Sequence, residues 1–180
     1  MPAYQTLVAW ILSTMFTLQP AYDARSCWWG VKWTDTYEHT AERFAQAAYD
    51  DPLKTRAVDG SSEGDVVFTA ALEVVWAARE SRFKPDAVGD SGASIGILQV
   101  NPRTAGTSRE VLLDVDQAIP IAVGLFHFSF RACRDRPVEE RMGQYIWGRD
   151  CEHRLDVSRA RVERARTIAR TFYAFARGEN

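Results

Sequence analysis

Apolar residues recur along this chain at the three-to-four-residue spacing of helices packed on a core, and the stretches between are polar and rich in turn formers. From 34 to 50, the run TDTYEHTAERFAQAAYD places Tyr37, Ala41, Phe44, Ala45 and Ala48 on one stripe, as in an amphipathic helix. Pro52 and the polar Asp59-Gly60-Ser61-Ser62 break that pattern. A second helix is expected to start near Asp65, an N-cap residue type, and to run to about Arg82, with Glu80 at its end. Its buried face is read as Val67, Ala70, Ala71, Val74, Ala77, Ala78 and Ser81. Lys84 to Thr107 carries Gly, Ser, Asp and Pro without a helical period, which predicts loop and a short hairpin. Three further helices are predicted, at about Asp116 to Cys133, Pro137 to Tyr145 and Ser158 to Ala176. Pro120 suits the first turn of its helix. The last helix turns Val162, Ala165, Ile168, Ala169, Phe172 and Phe175 inward. No internal repeat or low-complexity tract interrupts the series.

The N-terminal run Leu7 to Leu18 is mostly apolar, and no charged side chain precedes Asp23. It reads either as a signal-peptide core or as an N-terminal helix. The absence of Lys or Arg ahead of it counts against a signal, whereas its length and the small-residue stretch Ala21-Tyr22-Asp23-Ala24 count for one. At about 12 residues it is too short to span a bilayer, so no membrane span is predicted.

Composition changes this picture little. With 180 residues, 46% hydrophobic and 26% charged, the chain has the make-up of one globular catalytic domain. Net charge is -2, but residues 131 to 180 hold 12 Arg against 8 acids. Those arginines are interleaved with acids at helical spacing, the pattern of a solvated helix, so no nucleic-acid partner is predicted. The six Trp fit a sugar-stacking cleft or plain packing equally. The three cysteines form no C-x-x-C pair or Cys/His cluster, so no metal site is predicted. Cys133 and Cys151 flank a segment able to fold back on itself and are read as a disulfide in an oxidising compartment, the alternative being two buried thiols.

The segment AARESRFKPDAVGDSGASIGILQVNP, residues 77 to 102, carries the candidate chemistry. Glu80 at the C-terminal end of an apolar helix is expected in a dry pocket, where the last helix carbonyls and the core both disfavour a negative charge. A carboxyl that keeps its proton can donate it to a glycosidic oxygen. Gly89, Gly92 and Gly96 let the backbone turn tightly and approach a polymer, and Gln99 offers an amide donor and a carbonyl acceptor to sugar groups.

The ordered set Glu80-Ser81, Phe83, Pro85, Ala87, Gly89-Asp90, Gly92, Gly96, Gln99 resembles the motif of soluble lytic transglycosylases and goose-type lysozymes. A weaker echo, Gln144-Tyr145-Ile146-Trp147-Gly148, is similar to the Ala-Tyr-Asn-Ala-Gly segment of lytic transglycosylases, keeping only Tyr145 and Gly148. The resemblance implies a mainly α, lysozyme-like fold with a short hairpin region lining a glycan cleft. The catalytic domain is expected at 60 to 180, behind an N-terminal helical extension at 1 to 59 that matches no motif of the family and whose residues 1 to 24 are signal-like. Glu80 becomes the catalytic acid, and Tyr145 a hydroxyl near it. Ser81, Gly96, Ile97, Leu98, Gln99 and Asn101 become the substrate-binding set. The implied partner is the glycan strand of peptidoglycan, with no cofactor, in a periplasmic, secreted or virion-associated setting that includes membership of an envelope or virion assembly.

One Glu suffices for a lytic transglycosylase, whereas an inverting hydrolase needs a second carboxylate to activate water. Goose-type lysozymes resemble this chain in Gly-Asp-x-Gly, matched by Asp90, but end their motif Gln-Val-Asp where this chain has Asn101. That difference favours the transglycosylase, with a hydrolase assisted by Asp90 as the alternative. Gly89-Asp90-Ser91-Gly92 also looks like a serine-protease nucleophile region, but helices on both sides argue against that fold. A catalytically silent glycan-binding or structural module is the remaining alternative, opposed by the retention of Glu80.

Overall fold

The computed structural model describes residues 1–19, 33–148 and 150–179. Its central element is helix α3, Ser62–Glu80. The start lies at Ser61, whose Oγ accepts from the Gly64 N–H at 2.9 Å, with Glu63 and Asp65 in the first turn facing the positive helix end. The cap expected at Asp65 is therefore corrected by one turn. Asp65 is buried and its carboxylate accepts from the backbone N–H groups of Thr55 and Arg56, pinning the incoming loop under the helix. The single buried stripe read from the sequence is also too narrow, because Gly64 through Ala77 are buried on every side. Helices α1 (Tyr4–Leu18), α2 (Trp33–Asp50) and α8 (Leu155–Ala176) all pack against α3.

The apolar N-terminal run forms α1 and buries Leu7, Trp10, Ile11 and Met15. Trp10 donates through Nε1 to Thr171 Oγ1 at 3.1 Å and sets its ring edge-on to Phe172, tying α1 to α8. The small-residue stretch at 21 to 24 and Cys27 lie outside the described residues. No helix among the described residues is long and apolar enough to cross a membrane. Tyr37, Ala41, Phe44, Ala45 and Ala48 of α2 and Val162, Ala165, Ile168, Ala169 and Phe172 of α8 are buried in one continuous core, with Phe175 partly buried against it.

Helix α6 runs from Val115 to Ala132, capped by Asp114, so Pro120 stands in its second turn and not its first. Proline there cannot donate to the carbonyl of Asp116. Arg43 of α2 donates to that oxygen instead, at 3.3 Å. The single helix expected over 137 to 145 is a short 3-10 turn, Val138–Glu140, followed by α7, Gly143–Trp147. Ser129 of α6 enforces the break. Its Oγ donates to the Arg141 carbonyl and accepts from the Tyr145 N–H, bonds that replace helix continuation. Cys133 at the end of α6 is joined to Cys151 by a disulfide, with Cα atoms 5.6 Å apart.

One buried group stands outside this pattern. Glu73, in the middle of α3, is fully buried, and neither carboxyl oxygen has a hydrogen-bond partner. Burial alone pushes its carboxyl well above the usual carboxylate range, so the folded protein holds it neutral.

Candidate active site at the end of helix α3

Helix α3 stops because Ser81 and the two residues after it abandon the helical path. The Ser81 N–H and Oγ both bond the Ala77 carbonyl, and Oγ also bonds the Ile97 carbonyl at 2.6 Å. Arg82 and Phe83 take φ of 56° and 61°, which turns the chain back while Phe83 plunges into the core. A two-residue hairpin follows, β1 (Val88–Gly89) antiparallel to β2 (Ser94–Ile95), pairing Val88 with Ile95 and Gly89 with Ser94. At its tip Asp90, Ser91 and Gly92 all have positive φ. Of the seven described non-glycine residues with positive φ, five fall in the stretch from Arg82 to Gln99. Backbone held in sparsely populated conformations gathers at functional sites, and here it gathers beside Glu80.

The hairpin, the ends of α3 and α7, α6 and the short helix α4 (Pro102–Ala105) enclose a cavity of about 240 Å³. Glu80, Asp90, Gln99, Asn101 and Tyr145 line it, so residues far apart in sequence meet in one place. Ser81, Gly96, Ile97 and Leu98, expected to bind substrate, do not line it. Ser81 is buried and spends its hydroxyl on the Ile97 carbonyl. Ile97 and Leu98 are buried in the core, and the Leu98 carbonyl accepts from the Tyr145 hydroxyl at 2.9 Å. Gly96, at φ +78°, is required by packing, because a Cβ there would sit 2.0 Å from the Leu112 carbonyl oxygen.

Gln99 and Asn101 line the cavity with part of their polarity already used. The Gln99 amide nitrogen donates to the carbonyls of Ala87 at 3.1 Å and Gly96 at 2.8 Å, stapling the hairpin, so the amide donor expected to face sugar is already spent on the backbone. Asn101 Oδ1 caps α4 by accepting from the Arg103 N–H. Asp90 is exposed, and its Oδ2 accepts from the Ser94 hydroxyl.

Glu80 itself is not in the dry, isolated pocket the sequence suggested. Its side chain is 28% exposed and accepts from Nη1 of Arg161 on α8. The Arg161 guanidinium lies 4.5 Å above the ring of Trp76, one turn before Glu80 on α3. Trp76 meets Tyr145 edge-on at 5.5 Å, and Tyr145 stacks edge-on to Phe126 at 4.7 Å. Burial first, then the negative charge of Glu80, pushes the Tyr145 phenol up, so it stays a neutral hydroxyl.

Trp76, Arg161 and Phe128 belong to this site but not to the motif. Phe128 is 52% exposed on the cavity wall, well suited to lie against the apolar face of a sugar ring. Its signal in the sequence is its place between Phe126 and Phe130, off their shared helical stripe. Arg161 precedes Ala165 by one turn, an arginine beside the inward stripe of α8. Among the described residues no cluster of His, Cys, Asp and Glu is arranged to hold a metal ion.

Residues 70–147 match the family model for the transglycosylase SLT domain. No curated protein and no solved structure matches the chain. Over residues 70–147 the chain is therefore similar to the transglycosylase SLT domain, set in a mainly α, lysozyme-like fold.

Proposed function

We propose that the chain is a lytic transglycosylase that cuts the β-1,4 bond between N-acetylmuramic acid and N-acetylglucosamine in peptidoglycan. The observation that carries this reading is the meeting of Glu80 with Gln99, Asn101 and Tyr145 around one cavity inside the SLT match. In its protonated form Glu80 gives its proton to the glycosidic oxygen as the bond from the muramic C1 breaks. The resulting carboxylate then takes the proton of the muramic 6-hydroxyl as that oxygen bonds C1, closing a 1,6-anhydro ring. Atoms and charge balance without water, and Glu80 ends protonated. Tyr145 fixes the floor of the site through its bond to the Leu98 carbonyl, and Phe128 offers a stacking surface.

The hydrolytic alternative would use Asp90, which lines the same cavity. Its carboxylate is bonded to Ser94, and the second acid of the goose-type pattern is replaced by Asn101, a helix cap. Digestion of purified peptidoglycan by Asp90→Asn tests the point. The variant is expected to keep activity within about tenfold of wild type, because removing a general base costs about 10²–10⁴-fold. A loss as deep as that from removing Glu80 would assign Asp90 the water-activating role.

The substrate and the Cys133–Cys151 disulfide together support work in an oxidising, extracytoplasmic setting: the periplasm, the medium or a virion. Residues 60 to 180 would hold the catalytic machinery, with α1 and α2 as the helical extension bracing α3.

A further inference from the structure

Hydrogen bonds already made account for most of the polar side chains that line the cavity. The Gln99 nitrogen is held by two carbonyls, and its oxygen occupies the space that a side chain at Gly89 would need. Asn101 Oδ1 caps α4, Asp90 holds Ser94, the Tyr145 hydroxyl holds the Leu98 carbonyl, and Glu80 is paired with Arg161. Gln144, the second residue of α7, lines the same cavity and is half-buried. Among the described residues no hydrogen bond engages its side chain, so it brings both an amide donor and an amide acceptor to the cavity uncommitted.

Its surroundings suit it for sugar. Phe128 of α6 stands exposed on the cavity wall, and one buried bond sets the two backbones side by side. The Tyr145 N–H, directly after Gln144, donates at 2.9 Å to Oγ of Ser129, directly after Phe128. An aromatic face takes the apolar side of a pyranose ring, and an amide beside it can meet an acetamido group with two hydrogen bonds. The position is this chain's own. Gln144 stands where the similar segment of lytic transglycosylases has Ala, and Ile146, also on the lining, stands where that segment has Asn. The amide missing at 146 is present at 144.

We propose that Gln144 is a specificity-determining residue that reads the acetamido group of a sugar seated on Phe128, its Oε1 accepting from the acetamido N–H and its Nε2 donating to the acetamido carbonyl. The proposal rests on the reading of the cavity as a glycan site and adds which group of the sugar is recognised, and by what. An N-deacetylated sugar presents an ammonium, which offers Nε2 no acceptor and leaves that donor without its partner. Proton transfer stays with Glu80.

Binding of a soluble β-1,4-N-acetylglucosamine oligomer and of its N-deacetylated counterpart is measured by calorimetry for wild type, Gln144→Ala and Gln144→Glu. The ratio of the two affinities, acetylated over deacetylated, is expected to fall about tenfold in Gln144→Ala, the effect of losing two hydrogen bonds at a partly open site. Gln144→Glu has the same shape but loses the donor and gains a charge that attracts the ammonium, so its ratio should fall further. On purified peptidoglycan, Gln144→Ala is expected to raise KM about tenfold and to leave kcat within about threefold, as when binding is lost equally from ground and transition states. A ratio that stays at the wild-type value in both variants would overturn the proposal, and so would a wild type that binds neither oligomer or a fall in kcat with KM unmoved. Should Gln144→Ala fail to fold, the ratio in the isosteric Gln144→Glu decides. A wild type whose affinity ratio depends on Gln144 but which leaves peptidoglycan uncut would sink the proposed function and leave this recognition standing.

Discussion

Replacing Glu80 by Gln is expected to reduce lysis of purified cell walls by about 10²–10⁴-fold, the range for losing a general acid. The change keeps shape and hydrogen-bonding reach, so the Gln carbonyl can still accept from Arg161 Nη1. Because the side chain is partly solvated and paired on its open side, loss of its charge leaves Trp76, Tyr145 and the α3 terminus in place. Circular dichroism and the thermal midpoint should therefore match wild type while lysis is lost. Lysis that survives in Glu80→Gln would show that another group supplies the proton.

The second large effect concerns stability. Glu73→Leu is expected to stabilise the protein by about 1–3 kcal/mol at pH 4.5, the cost of a buried polar group without a partner, and by more at pH 7. The wild-type carboxyl is held neutral in the folded state by burial, whereas in the unfolded chain it titrates near its ordinary value of 4.5. Its folded value is raised, so its contribution to stability is fully present below pH 4.5 and is lost as pH rises toward the folded value. Over that window the wild type should lose about 1.4 kcal/mol per pH unit through this one group. Urea unfolding at pH 5 and pH 7 reads the effect directly. The advantage of Glu73→Leu should widen with pH, and a constant gap would mean that Glu73 is ionised or paired when folded. Glu73→Gln removes the same pH dependence but leaves an unpartnered amide in the core, so its gain should be smaller.

Local periodicity made the helices legible. The stripes of α2 and α8 were readable because each faces one core, and α3 was recognisable as a helix ending at Glu80. What periodicity could not report is how many neighbours surround an element, and so α3 read as half-buried although it is enclosed. Ser61 and Asp65 are both good N-cap types, and the choice between them is tertiary, since Asp65 is needed by the backbone at 55 and 56. Pro120 could move one turn into α6 because Arg43, 77 residues earlier, takes its orphaned carbonyl.

The site follows the same logic. The motif drew attention to the correct stretch, but residue type alone could not separate members that face the cavity from those that build its wall. Gly96, Ser81, Ile97 and Leu98 hold the loop against α3, α5 (Arg109–Leu113) and Tyr145, whereas Glu80, Asp90, Gln99 and Asn101 face the cavity. The pairing of Glu80 with Arg161 spans 81 residues and two helices, a contact that no local pattern encodes. For that reason the expected dry pocket became a paired, partly open one.

The central claim is that one carboxyl, Glu80, breaks a glycan bond without water entering the product. Mass spectrometry of the muropeptides released from peptidoglycan tests it most directly. The expected products carry 1,6-anhydro-muramic ends, each lighter by one water than a reducing end. Reducing ends, carrying oxygen-18 when the digestion is run in labelled water, would contradict it and identify the protein as a hydrolase.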